Sequence, residues 1–146
     1  LFLAIKSIGR IDKKIEFRFT GHNNSKVRSV SEKLSNKNIR IKQTGYLTEE
    51  EMYKQIHQSD CLIYCSEYEG FGLPVLEAIE LEKKIIFSDI EVLREFKYKG
   101  QIFYQNGNYL QLKEKILLQI KSSSTISKFI YKELYNWKNL VNFIYD

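Results

Sequence analysis

Three scarcities frame this 146-residue sequence: one proline, two cysteines and no long uncharged apolar run. Without a Ser/Pro-rich stretch, an internal repeat or a low-complexity tract, nothing marks a linker, and residues 1–146 are expected to form one domain. Cys61 and Cys65 share one apolar segment, far in sequence from the two histidines, His22 and His57. That fits neither a disulfide framework nor a zinc spacing, so a reducing, cytoplasmic setting and no metal site are expected. No apolar stretch approaches the roughly 18–20 residues of a membrane span, and Leu1 to Arg10 lacks the cationic start and cleavage site of a secretory signal. The 23 Lys+Arg exceed the 18 Asp+Glu, but they are spread along the chain rather than gathered in one arm, which argues only weakly for nucleic acid. The first residue is Leu, not Met, so the expectation is a piece of a longer polypeptide.

What is present suffices for a core: 43% hydrophobic residues, 14% of the chain aromatic. Short apolar or β-branched runs at Ile15–Thr20, Ile39–Thr44, Cys61–Cys65, Lys84–Ser88 and Gln101–Tyr104 read as strands. Helix-length segments alternate with them at Phe2–Ile11, Lys26–Leu34, Glu49–Ser59, Pro74–Glu82, Glu91–Phe96 and Tyr109–Ile120. This alternation argues for parallel βαβ units and a doubly wound α/β sheet. Thr48 before Glu49-Glu50-Glu51 marks a helix start. From about residue 122 the tail reads as one or two further helices, with Phe129, Ile130, Leu134, Trp137, Leu140, Val141 and Ile144 as an apolar stripe.

The most informative stretch is Glu67-Tyr68-Glu69-Gly70-Phe71-Gly72-Leu73-Pro74-Val75-Leu76-Glu77-Ala78, which follows a strand and opens a helix near Pro74. Glycines ahead of a helix N-terminus let the backbone approach a ligand, and the amides there suit a phosphate. Glu69 on the loop and Glu77 in the first helical turns place two carboxylates near one mouth of the sheet, where they can accept from hydroxyl donors. A nucleotide sugar offers both groups.

Glu69-Gly70-Phe71-Gly72-Leu73-Pro74-Val75-Leu76-Glu77-Ala78 resembles the signature of retaining glycosyltransferases of the GT-B fold, in particular family 4 and its relatives (glycosyl transferases group 1). Phe19-Thr20-Gly21, Gly45-Tyr46-Leu47, Gln58-Ser59-Asp60, Phe87-Ser88-Asp89, Leu93-Arg94-Glu95 and Asn136-Trp137 are similar to other stations of that family, so the resemblance runs from about Phe2 to the C-terminus. It implies the Rossmann-like, donor-binding C-terminal domain of an enzyme that transfers a sugar from a UDP-, GDP- or similar donor to an acceptor, with retention and without cofactor or metal. The acceptor, a saccharide or a lipid-linked one, is then held mainly by another domain, as in polysaccharide biosynthesis, and the isolated chain is expected to be inactive. By the same resemblance, Glu69 is the catalytic carboxylate beside the donor sugar, and Gly70, Phe71, Gly72 and Leu73 present amides to sugar and diphosphate. Glu77 binds the ribose hydroxyls, and Gly21 and the Tyr46 loop border the base.

Departures from the pattern are specific. Asp89-Ile90-Glu91-Val92 stands where the family often carries Gly-Gly or proline, and Leu81-Glu82-Lys83-Lys84 replaces a glycine turn after the signature helix. Gly9-Arg10 with Lys13-Lys14 resembles the family's phosphate-binding loop, but Ile15 then begins a strand with no room for the parallel connection, which needs ~10 residues. Phe2, Ile5, Ile8 and Ile11 read better as one side of a helix. The first strand would then precede Leu1, and in a sheet of order 3-2-1-4-5-6 it is the central one.

Plainer readings compete. Glu69 and Glu77 can be solvated or dipole-partnered charges, Gly70 and Gly72 a tight turn, and Phe71 packing beneath the loop. His22 reads as a loop histidine, His57 as structural, and Cys61 and Cys65 as small core residues. The lysine-rich helices read as solvated faces, with a peripheral membrane contact as the minor alternative. A non-catalytic nucleotide-sugar-binding or interaction module of the same fold is the main competing function. An epimerase of GT-B type and a nucleic-acid binder rank below it.

Overall fold

The computed structural model describes residues 1–8, 13–21, 25–96 and 101–121. His22 and the expected C-terminal helices lie outside these. The chain divides into two compact units, Leu1–Lys54 and Gln55–Asp146.

In the first unit, α1 (Phe2–Ser7) precedes β1 (Ile15–Thr20), α2 (Ser25–Leu34) and β2 (Ile39–Gly45). β1 and β2 pair in parallel from Ile15↔Ile39 to Thr20↔Gly45, with a register shift after Phe19. Ala4, Ile5, Ile8, Phe17 and Ile39 are buried, and Phe2 stacks on Phe19 at 4.9 Å between centroids. Phe2 and Ile5 of the expected stripe therefore lie on a helix and Ile8 at its C-cap, while Ile11 lies outside the described residues. Along β1 and β2 the alternate residues Glu16, Arg18, Arg40 and Lys42 are exposed. Glu16 sits 2.5 Å from Arg18 and 3.6 Å from Arg40, and the hydrogen bond from Arg18 holds its carboxyl below the usual range.

Helix α3 (Glu49–Gln58) carries the expected start. Thr48 Oγ1 accepts from Glu51 N at 3.2 Å while Glu51 Oε2 accepts from Thr48 N at 2.8 Å, a reciprocal capping box.

The second unit runs β3 (Cys61–Tyr64), α4 (Leu73–Glu80), β4 (Lys84–Ser88), α5 (Glu91–Arg94), β5 (Gln101–Tyr104) and α6 (Tyr109–Lys121). Its sheet has the order β3-β4-β5, all parallel. Central β4 is buried from Ile85 through Ser88, as a strand covered on both faces must be. Val75, Leu76, Ala78 and Ile79 of α4 and Leu112 and Ile116 of α6 complete this core.

Two helix ends differ in detail from the sequence reading. α4 begins at Leu73, with Pro74 second. It stops without glycine: Glu82 takes the left-handed conformation at φ 56°, and Lys83 N donates to Ala78 O at 2.8 Å, the closing bond of a Schellman turn.

Candidate functional site

The site is built from the carboxyl end of β3 onward. Past Tyr64 the chain leaves the sheet, and Gly72 turns it into α4 as an N-cap residue at φ 86°. A Cβ on Gly72 would stand 2.9 Å from Leu93 Cδ2 and 3.6 Å from Phe96, so both backbone and packing require glycine there. Gly70 differs: a Cβ would meet nothing within 4 Å among the described residues. The fold leaves that space open, as a ligand approaching the backbone needs.

Phe71 packs edge-on against buried Phe96, with centroids 6.0 Å apart, so its ring anchors the loop and its contribution to a ligand is its backbone. Val75 N and Leu76 N both donate to Gly72 O. The amides of the loop and first helical position, through Leu73, are those the helix supplies with no acceptor of its own. Leu93 and Phe96, just after the segment that departs from the family pattern, thus form the floor of the loop. Arg94 Nε and Nη2 reach back to grip Asp89 at 2.6 and 3.0 Å, which lowers the Asp89 pKa. Glu91 opens α5, where its charge complements the helix dipole.

The two carboxylates sit differently. Burial, with Glu69 as an acidic neighbour, pushes the Tyr64 phenol above its ordinary value. Glu77 lies half-buried on α4. Its Oε2 is enclosed and accepts no hydrogen bond among the described residues, while the side chain interacts elsewhere in the fold.

Beneath the loop, the fully buried Ser88 at the end of β4 donates to Ser66 O and lies 3.5 Å from Tyr64 O. Tyr104, at the end of β5, pairs in register with Ser88 and is buried, which pushes its phenol above the ordinary value. Ser66 Oγ donates to Tyr68 O at 2.8 Å. In the sequence Ser88 stands out only within the Phe87-Ser88-Asp89 resemblance, and Tyr64 and Tyr104 not as site residues; each ends a strand, where ligands of open α/β sheets bind. Cys61 is half-buried rather than a core residue, and burial pushes its thiol up to about 12. Cys65 is exposed. His57 serves through its carbonyl, which accepts from Lys83 Nζ at 2.6 Å.

Six of the expected residues, Glu69, Gly70, Phe71, Gly72, Leu73 and Glu77, therefore lie on one loop and the helix it opens, in the second unit. Gly21 and Tyr46 belong to the first unit, just past the ends of β1 and β2. Gly21 N donates to Gly45 O at 2.9 Å, and the Tyr46 ring is exposed. Among the described residues no group of acidic, histidine or cysteine side chains is placed to hold a metal, and no helix is long and apolar enough to cross a membrane.

No curated protein matches the chain. Among solved structures, the crystal structure of Anabaena Alr3699/HepE in complex with UDP and glucose matches with a TM-score of 0.67 at 13% sequence identity, over 87% of this chain and 38% of that one. At that identity the likeness concerns the fold, an α/β domain of Rossmann-like type. The family model for glycosyl transferases group 1 matches residues 1–134, loop and α4 included. The chain belongs to the glycosyl transferases group 1.

Proposed function

We propose that this chain is the donor-binding domain of a longer, retaining glycosyltransferase of the family-4 type, which takes a sugar from a nucleotide-sugar donor. The observation that carries the reading is the Glu69–Leu73 loop, in which Gly72 is demanded by the fold and Gly70 is not. The family match and the UDP and glucose of the Anabaena structure support it.

In this reading the amides of Gly70 to Leu73 face the donor sugar and diphosphate, where fixed dipoles stabilise charge as the C1–O bond breaks and the diphosphate departs. Glu69 accepts from the sugar hydroxyls and Glu77 from the ribose. Gly21 and Tyr46 border the base. The acceptor is bound by another domain, on the cytoplasmic side.

Calorimetry of the full-length protein with UDP-glucose and GDP-mannose, followed by a transfer assay, tests the proposal. We expect saturable donor binding with turnover, and a fall of about a hundredfold or more in kcat for Glu69→Ala and Glu77→Ala with unchanged circular dichroism. Full activity in both variants refutes the site; binding without turnover points to the non-catalytic module.

A further inference from the structure

We infer that Ser88 and Ser66 are positioning residues for the donor loop: two hydroxyl hydrogen bonds in series run from β4 to the residue before Glu69 and set where Glu69 and Gly70 stand. The inference deepens the donor-site reading and rests on it.

Between Glu67 and Phe71 the loop makes no backbone-to-backbone hydrogen bond among the described residues, so neither sheet nor helix fixes its course. Side chains do. Ser88 is fully buried at the end of β4, where it pairs with Tyr104 of β5, and its neighbour Asp89 donates its N–H to Tyr104 O at 2.8 Å. A hydroxyl shut off from water must find its acceptor within the protein. That of Ser88 donates to Ser66 O, two residues beyond the end of β3, with Tyr64 O 3.5 Å away. Ser66 Oγ in turn donates to Tyr68 O at 2.8 Å. At the far end of the loop the Phe71 ring rests on Phe96, and Gly72 caps α4. Glu69 and Gly70 are thus the residues left between a held carbonyl and a held ring. So short a span has few backbone conformations open to it, and the Gly70 amide keeps its place before a donor arrives. In such a site a displacement of ~1 Å can cost about a hundredfold in rate. A residue that only filled the space at Ser88 could be alanine; the hydroxyl is the part that reaches the loop, and alanine removes it alone.

The test uses the full-length protein with UDP-glucose as the probe. UDP release gives kcat and KM for wild type, Ser88→Ala, Ser66→Ala and the double variant. Deuterium uptake on the millisecond scale, read by mass spectrometry, follows the loop without reference to turnover. We expect Ser88→Ala to lower kcat about tenfold and Ser66→Ala about threefold, with KM within about twofold in each. The double variant should fall within about twofold of Ser88→Ala, because bonds in series are not additive. Uptake should rise in Glu67 to Gly72 and stay at the wild-type level in Ile85 to Phe87. A wild-type kcat in Ser88→Ala overturns the positioning role, as does uptake that rises equally in β4, the mark of a unit loosened throughout. Ser66 is only half-buried, so its variant decides the matter if Ser88→Ala does not fold: unchanged kcat and loop uptake in Ser66→Ala refute the inference. If wild type releases no UDP although loop uptake responds to both substitutions, the donor reading has failed and the tether has not, which separates the two.

Discussion

Gly70 and Gly72, one residue apart, answer to different constraints, and a substitution at each separates folding from binding. At Gly72 a side chain meets both a left-handed backbone and Leu93 at 2.9 Å. Gly72→Ala is expected to cost on the order of 2–4 kcal/mol, measured by urea unfolding. Gly70→Ala should change stability by no more than about 0.5 kcal/mol yet weaken UDP-glucose binding in calorimetry, because the methyl occupies the space left for the ligand. Cys61 makes a second prediction at this scale. Its folded thiol titrates near 12, above an unfolded value of roughly 8.5. The stability that its neutral form contributes is thus complete below about pH 8.5 and is lost as the pH climbs toward 12. Melting temperatures taken across that range should fall less steeply in Cys61→Ala than in wild type.

At the scale of elements, much was legible because each helix and strand carries its own period and punctuation. The Thr48–Glu51 box starts α3 where the sequence placed it, and the buried positions Leu112, Ile116 and Gln119 of α6 follow one helical face. The end of α4 was harder to read, since no glycine signals it. Glu82 stands in the left-handed position that glycine would take without strain, and only the Lys83 to Ala78 hydrogen bond reveals the turn. Glu82→Gly is therefore expected to stabilise the protein by about 1 kcal/mol, seen as a higher melting temperature. Leu93 and Phe96 were also hidden. In sequence they are two apolar residues of a short helical stretch, and their role as the floor under Gly72 and Phe71 appears only when α5 is placed beside the loop.

For the molecule as a whole, the glycine and glutamate spacing around α4 made the candidate loop legible, and the alternation of elements made the α/β class legible. The cluster of strand ends at Tyr64, Ser88 and Tyr104 was not, because its members come from three strands and meet only once the β3-β4-β5 register is set. Its centre is Ser88 of β4, which bonds Ser66 O at the root of the loop and ends the strand paired on both sides and buried from Ile85 to Ser88. Amides in such a strand exchange with solvent only when the unit opens as a whole. In deuterium exchange the slowest protons of the second unit should be those of Ile85 to Phe87, faster by orders of magnitude in Glu67 to Gly70. Heat would then abolish donor binding in step with global melting rather than ahead of it, since the root of the loop is fastened to the last strand to let go.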